Sequence, residues 1–178
     1  MSKSNLITFQ NIGTLLALLI SVLALVVSIY EANLLKVQQS AMVWPYVTVE
    51  GNYNAEGFYF TAQNNGTGPA LIKSVEVSYQ GQPVRSYDEL LDRINPERKI
   101  GYDRLRMNRL GSTVLKVGET RVLFSMPRDE ETREMEKQMT EVNFKIHYMS
   151  VLQDSWIYDL AKDEHSQAEF TAQVEFEN

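Results

Sequence analysis

The chain has 178 residues, a formal net charge of −6 and no cysteine. The missing cysteine excludes disulfides, thiolate catalysis and Cys-ligated zinc, and the acidic balance argues against nucleic acid as a partner, since phosphates must be neutralised by Lys and Arg. With the apolar N-terminus set aside, about 130 residues remain, enough for one globular domain with its own core.

Residues 1–10 read as an N-terminal tail and residues 11–43 as a transmembrane helix with a juxtamembrane helical extension. No charge interrupts the chain between Lys3 and Glu31. As a helix, Ile12 to Tyr30 spans about 28 Å, close to the hydrocarbon thickness of a bilayer. Tyr30 falls where an interfacial aromatic is expected. The competing reading is a cleaved signal peptide, whose apolar run is shorter, about 7–15 residues, and is followed by a small-x-small cleavage site. Here the run is longer and leads into Tyr-Glu-Ala-Asn-Leu-Leu, which favours an uncleaved signal anchor. Lys3 and the α-amino group precede the helix, whereas Glu31, Lys36 and Glu50 follow it. The positive-inside rule then favours a single pass through the cell (inner) membrane with the domain on the exported side.

Within this helix Gly13, Ala17, Ser21, Ala24 and Ser28 are spaced 4, 4, 3 and 4 apart, one stripe of small residues. Such a stripe lets two backbones approach closely in lipid, so a helix–helix interface and a homo-oligomer are expected. The alternative is an oligomeric membrane effector in which the stripe lines a pore. Glu31 to Val43 contains no Gly or Pro, and Leu34, Val37 and Ala41 share a face, so the helix should continue beyond the bilayer. Pro45 ends it by disfavouring the helical conformation at Trp44. Trp44 is a second membrane-interface candidate, or else a plug at the base of the domain.

Residues 44–178 read as an antiparallel β-sandwich, immunoglobulin-like, with two short helical insertions. Val47 and Val49 alternate with Thr48 and Glu50; Phe58, Phe60 and Ala62 alternate with Tyr59, Thr61 and Gln63; Val75, Val77 and Tyr79 share one face. Asn64-Asn65-Gly66-Thr67-Gly68-Pro69 is a dense turn signal, and its Asn-Gly-Thr triplet is read as turn chemistry rather than a glycosylation acceptor. Ser86-Tyr87-Asp88-Glu89 is a capping box opening a helix that Asn95-Pro96 stops. A strand follows at Arg121 to Met126, then a charged helical pattern over Pro127 to Met139. Val142, Phe144, Ile146 and Tyr148 alternate in the next strand, and Gln153-Asp154 turns it toward Trp156-Ile157-Tyr158. Phe170, Ala172, Val174 and Phe176 are a candidate last strand. Short strands separated by turns favour a Greek-key sandwich.

Chemistry-bearing residues are sparse. His147 falls on the strand face opposite Phe144 and Ile146, as a surface or edge histidine without a partner at fixed spacing. Asp159, Asp163, Glu164 and His165 cluster, but without the alternation of a calcium loop, and read as a solvated loop. Arg93, Arg98, Lys99, Arg104, Arg106 and Arg109 form the one basic concentration, diluted by Glu97 and Asp103, and the last five are a candidate contact for anionic lipid or a protein partner. No phosphate loop, dinucleotide fingerprint, nucleophile elbow or zinc-binding helix occurs. No cofactor and no enzymatic activity are expected.

Two stretches, Gln38-Gln39-Ser40-Ala41-Met42-Val43 with Trp44-Pro45-Tyr46, and Asn64-Asn65-Gly66-Thr67-Gly68-Pro69-Ala70, resemble those of an uncharacterised set of small bacterial proteins that carry an immunoglobulin-like β-sandwich on a single membrane helix. The resemblance covers about a tenth of the chain and implies no activity. From the residues themselves the expected role is a binding or assembly module held at the bilayer.

Overall fold

A computed structural model describes residues 3–97, 100–130 and 132–167. The chain divides into two compact units, Met1–Ala41 and Met42–Asn178. The first is a single helix, α1 (Lys3–Met42). It takes in the octet Lys3 to Gln10, read above as a tail, because no Gly or Pro there breaks it. Its apolar window has a mean hydropathy of 2.8 and is wholly exposed, which makes it the one candidate membrane span among the described residues.

The second unit holds two antiparallel sheets with two short helices. Strands β1 (Val47–Tyr53), β2 (Gly57–Asn64), β5 (Arg106–Met107) and β7 (Thr120–Pro127) build the first sheet, in the order β1-β2-β7-β5. The second runs β10-β9-β8-β3-β4, formed by β3 (Ala70–Tyr79), β4 (Gln82–Val84), β8 (Val142–Met149), β9 (Ser155–Asp159) and β10 (Glu164–Gln167), with β6 (Val114–Leu115) added to β3. The pairs Val47↔Asn64, Ala70↔Leu115 and Met149↔Ser155 mark the near end, where the chain enters the domain. Tyr53↔Phe58, Gly57↔Pro127 and Tyr79↔Val142 mark the far end.

Period-two alternation places Phe58, Phe60, Ala62 and Phe124 from one sheet against Val75, Val77, Phe144 and Ile146 from the other in one core. The Phe60 and Phe144 rings meet between the sheets at 5.0 Å. Helix α2 (Tyr87–Ile94) buries Tyr87, Leu90, Leu91 and Ile94, and the Tyr87 hydroxyl donates to Leu123 O at 2.9 Å. Its cap departs from a standard box: Ser86 Oγ accepts the Glu89 N–H, but the Glu89 carboxylate reaches back to the N–H of Arg85 rather than of Ser86. Helix α3 (Arg133–Met139) is shorter than the pattern from Pro127 suggested. The Thr132 hydroxyl donates to Pro127 O and accepts the Asp129 N–H, while the Asp129 carboxylate accepts the Thr132 N–H, a local turn that competes with helix. The strand read at Phe170 to Phe176 lies outside the described residues.

Candidate functional site

The densest polar construction in the β domain lies at its near end, around Asn64. This side chain is fully buried, yet every hydrogen-bonding position of its carboxamide is used. Oδ1 accepts the N–H groups of Tyr46 (3.1 Å) and Gly66 (3.0 Å), while Nδ2 donates to the carbonyls of Gly68 (2.9 Å) and Leu115 (3.0 Å). The N–H groups of Asn65, Thr67 and Gly68 donate to the carbonyls of Tyr46 and Trp44, so the turn grips residues 44–46 by their backbone. Gly66 and Gly68 are required by closeness: a Cβ on Gly66 would overlap Trp44 O and Tyr46 N, and one on Gly68 would overlap the Val43 carbonyl.

From this strap the Tyr46 ring lies against His165 of β10, with centroids 4.0 Å apart, and meets Trp44 at 5.3 Å. Tyr148 and Tyr158 complete the walls, because β8 and β9 turn both inward beside β10. His165 Nδ1 is hydrogen-bonded to the Tyr148 hydroxyl at 2.9 Å, whereas its Nε2 is buried without a hydrogen-bond partner among the described residues. The Tyr158 hydroxyl is shared between Asp163 Oδ1 (2.9 Å) and Val49 O (3.2 Å), which ties the two sheets together. Burial lowers the His165 pKa below the ordinary histidine value, opposed in part by Asp163. Burial also raises the Tyr148 hydroxyl pKa and pushes that of Tyr158 up to about 12. The result is an imidazole closed in by phenols, which clasps β10 onto the strap.

Sequence reasoning missed this cluster because it read Asp159 to His165 as one solvated loop. The structure disperses that group. Asp159 turns to Lys145 (3.6 Å) and Asn143 (2.9 Å), Asp163 to Tyr158, and His165 inward. Among the described residues no three His, Asp or Glu side chains converge to hold a metal ion. The expected surface or edge position of His147 is also corrected. Alternation puts it on the outer face as read, but β8 is an inner strand of its sheet, and His147 is only 8 % exposed, with Nε2 3.0 Å from Glu76 Oε1 of β3.

The basic residues separate. Arg104 and Arg106 line a cleft of about 550 Å³ toward the far end, together with Glu56 and Asp103. Arg104 is paired with Asp129, whose carboxyl is held below its usual range first by the Thr132 N–H and also by Arg104. Arg109 is exposed and does not line this cleft. Arg98 and Lys99 lie outside the described residues. The cleft thus carries both signs of charge, at the end of the domain away from the strap.

On α1, Gly13, Ala17, Ser21, Ala24 and Ser28 are all helical and exposed, and fall within an arc of about 80°. The Ser21 hydroxyl donates to the Ala17 carbonyl at 2.8 Å and so is satisfied within its own helix. Tyr30 is 68 % exposed on α1, and Trp44 is 43 % exposed at the strap.

No curated protein and no solved structure matches the chain significantly. A family model described as a domain of unknown function (DUF8453) matches residues 10–177, taking in the helix together with both sheets, and the chain belongs to that family.

Proposed function

We propose that the chain is a single-pass, membrane-anchored binding or assembly module, in which α1 spans the bilayer and self-associates and an immunoglobulin-like β-sandwich is displayed on the exported side. The observation that carries this reading is the bare state of α1. Twelve Leu, Ile and Val residues between Ile12 and Ile29 are each 52–65 % exposed. Leaving so many large apolar side chains in water costs on the order of 20 kcal/mol relative to burying them. Lipid, or lipid together with other copies of the helix, covering the segment would remove that cost.

The strand order supports the immunoglobulin-like reading. β1-β2-β7-β5 beside β9-β8-β3-β4 parallels the A-B-E-D and G-F-C-C′ arrangement of such sandwiches, with β10 as an addition. The internal Ser21–Ala17 hydrogen bond favours a packed seam over a water-lined path, because that hydroxyl is already engaged. A binding role for the domain rests on the mixed-charge cleft at Arg104 and Arg106, which suits a polar protein partner better than a uniformly anionic lipid surface.

Two measurements test the proposal. The full-length chain should stay in the membrane pellet after alkaline extraction, and release into the supernatant would remove the anchor. Replacing Ala17 and Ser21 by Leu should shift the detergent-solubilised chain to a smaller species, and an unchanged size would remove the self-association.

A further inference from the structure

We propose that the mixed-charge cleft on the first sheet holds a slot for a carboxylate, formed by Tyr59, Ser125 and Arg106, and that its ligand is a protein segment in which one acidic side chain is flanked by basic ones; this rests on the binding role read above for that cleft. The slot follows from strand register. Ser125 of β7 pairs with Tyr59 of β2 on one side and with Arg106 of β5 on the other, so the three side chains stand in one rung. Phe58, Phe60, Phe124 and Met126 are buried in the core, which turns Tyr59 and Ser125 between them to the outer face. There all three rung residues line the cleft of about 550 Å³. Tyr59 and Arg106 are long and stand two strand spacings apart, about 10 Å, while the residue between them is short. A notch is left over Ser125, with room for one flat group.

The polar groups around this notch are not engaged. Among the described residues the Tyr59 hydroxyl, the Ser125 hydroxyl and the Arg106 guanidinium have no hydrogen bond, ion pair or ring contact within the protein. Tyr59 and Ser125 are nevertheless half-buried. Arg104 gives the contrast: it lines the same cleft, and its guanidinium is taken up by Asp129. Arg106 shares the cleft with two acids, Glu56 and Asp103, and pairs with neither. A guanidinium fork beside two hydroxyl donors is the complement of a carboxylate, which accepts through both oxygens. Because β5 is a two-residue strand at the edge of its sheet, no further strand closes the Arg106 side of the slot among the described residues.

Glu56 and Asp103 decide which anion enters. Both are exposed and line the cleft, so a doubly charged phosphate or a uniformly acidic segment would meet like charge there. A single carboxylate carries the least charge that still engages Arg106. Basic residues on either side of it would then pair with Glu56 and Asp103, which makes the charges complementary over the whole cleft and disfavours other anions.

The test is a nuclear magnetic resonance titration of the full-length chain in detergent micelles, with isotope-labelled arginine side chains. The probes are acetyl-Lys-Glu-Lys-amide, acetyl-Lys-Gln-Lys-amide and inorganic phosphate, and Arg106→Gln assigns the Arg106 signal by its disappearance. The expected result is a saturable shift of the Arg106 signal by the glutamate peptide, with an affinity at least about tenfold above that for the glutamine peptide or for phosphate. Ser125→Phe, which fills the notch and keeps the Arg106 charge, should abolish that shift while the backbone spectrum stays that of the folded chain. Arg109→Gln, outside the cleft, should leave it unchanged. Equal binding of the two peptides within the cleft overturns the carboxylate slot and leaves the binding role of the cleft standing. Phosphate binding as tightly as the glutamate peptide overturns the peptide ligand. A glutamate-peptide affinity that survives Ser125→Phe and Arg106→Gln places the contact elsewhere and overturns the slot. No saturable shift of any cleft arginine by any probe overturns both the slot and the binding role.

Discussion

Asn64 Oδ1 accepts the backbone N–H of Tyr46 across eighteen residues of sequence, and this bond joins the two stretches that carry the family-like motifs. The Trp44-Pro45-Tyr46 strap and the Asn64–Gly68 turn are one construction, because each supplies the other's backbone partners. The turn therefore sets where the chain enters the sheet.

Replacing Asn64 by Ala should be among the costliest single changes in the β domain. It would strand two N–H groups and two carbonyls in a buried setting, at about 1–3 kcal/mol each before relaxation, so a net loss of about 3–5 kcal/mol is expected. Both tryptophans, Trp44 and Trp156, lie in this unit, so fluorescence-monitored urea unfolding of the solubilised full-length chain reads it directly. A loss below about 1 kcal/mol would mean that water replaces the carboxamide.

Gly66→Ala and Gly68→Ala should each destabilise by about 1–3 kcal/mol or more, because the added methyl meets backbone that cannot move without releasing the strap. Thr67→Ala, which loses an exposed 3.3 Å contact to Trp44 O, should cost less than either. Equal losses at all three positions in the same unfolding assay would contradict the steric argument.

Stability should depend on His165 in mildly acidic solution. Its folded pKa lies below the unfolded value of 6.5, so the unfolded chain binds the proton more readily. The contribution of the neutral imidazole is complete above pH 6.5 and is lost as pH falls from there through the folded pKa. His165→Phe keeps a ring against Tyr46 and removes the titration. Its unfolding midpoint should change less between pH 7.5 and 5.5 than that of the unaltered chain, and parallel slopes would exclude His165 as the cause.

Phe144→Ala should cost about 3–5 kcal/mol, since the ring is 1 % exposed and packs between the sheets against Phe60. Val117→Ala should leave stability within about 0.5 kcal/mol, since that side chain is 54 % exposed at a turn tip. A large loss at Val117 would show that it packs in the domain.

Several features were legible in the residues because they depend on local order alone. The apolar run of α1, the inward faces of β2, β3 and β8, and the Ser86 cap follow from period, length and turn chemistry. β10 was not legible: Glu-His-Ser-Gln has no apolar alternation, and the segment is extended because Glu164 to Gln167 pair with β9. His147 was placed on the correct face, but its burial needed Glu76 to arrive from a strand about seventy residues earlier.

The sequence by itself determined the long apolar N-terminal helix, the alternation that makes a two-faced β domain, and the lack of thiol chemistry, since each is a property of neighbouring residues or of composition. Only the tertiary structure decided that Asn64 is a hub, that His165 closes among tyrosines, and that the arginines divide. Those relationships join residues distant in sequence, and strand register rather than local preference brings them together.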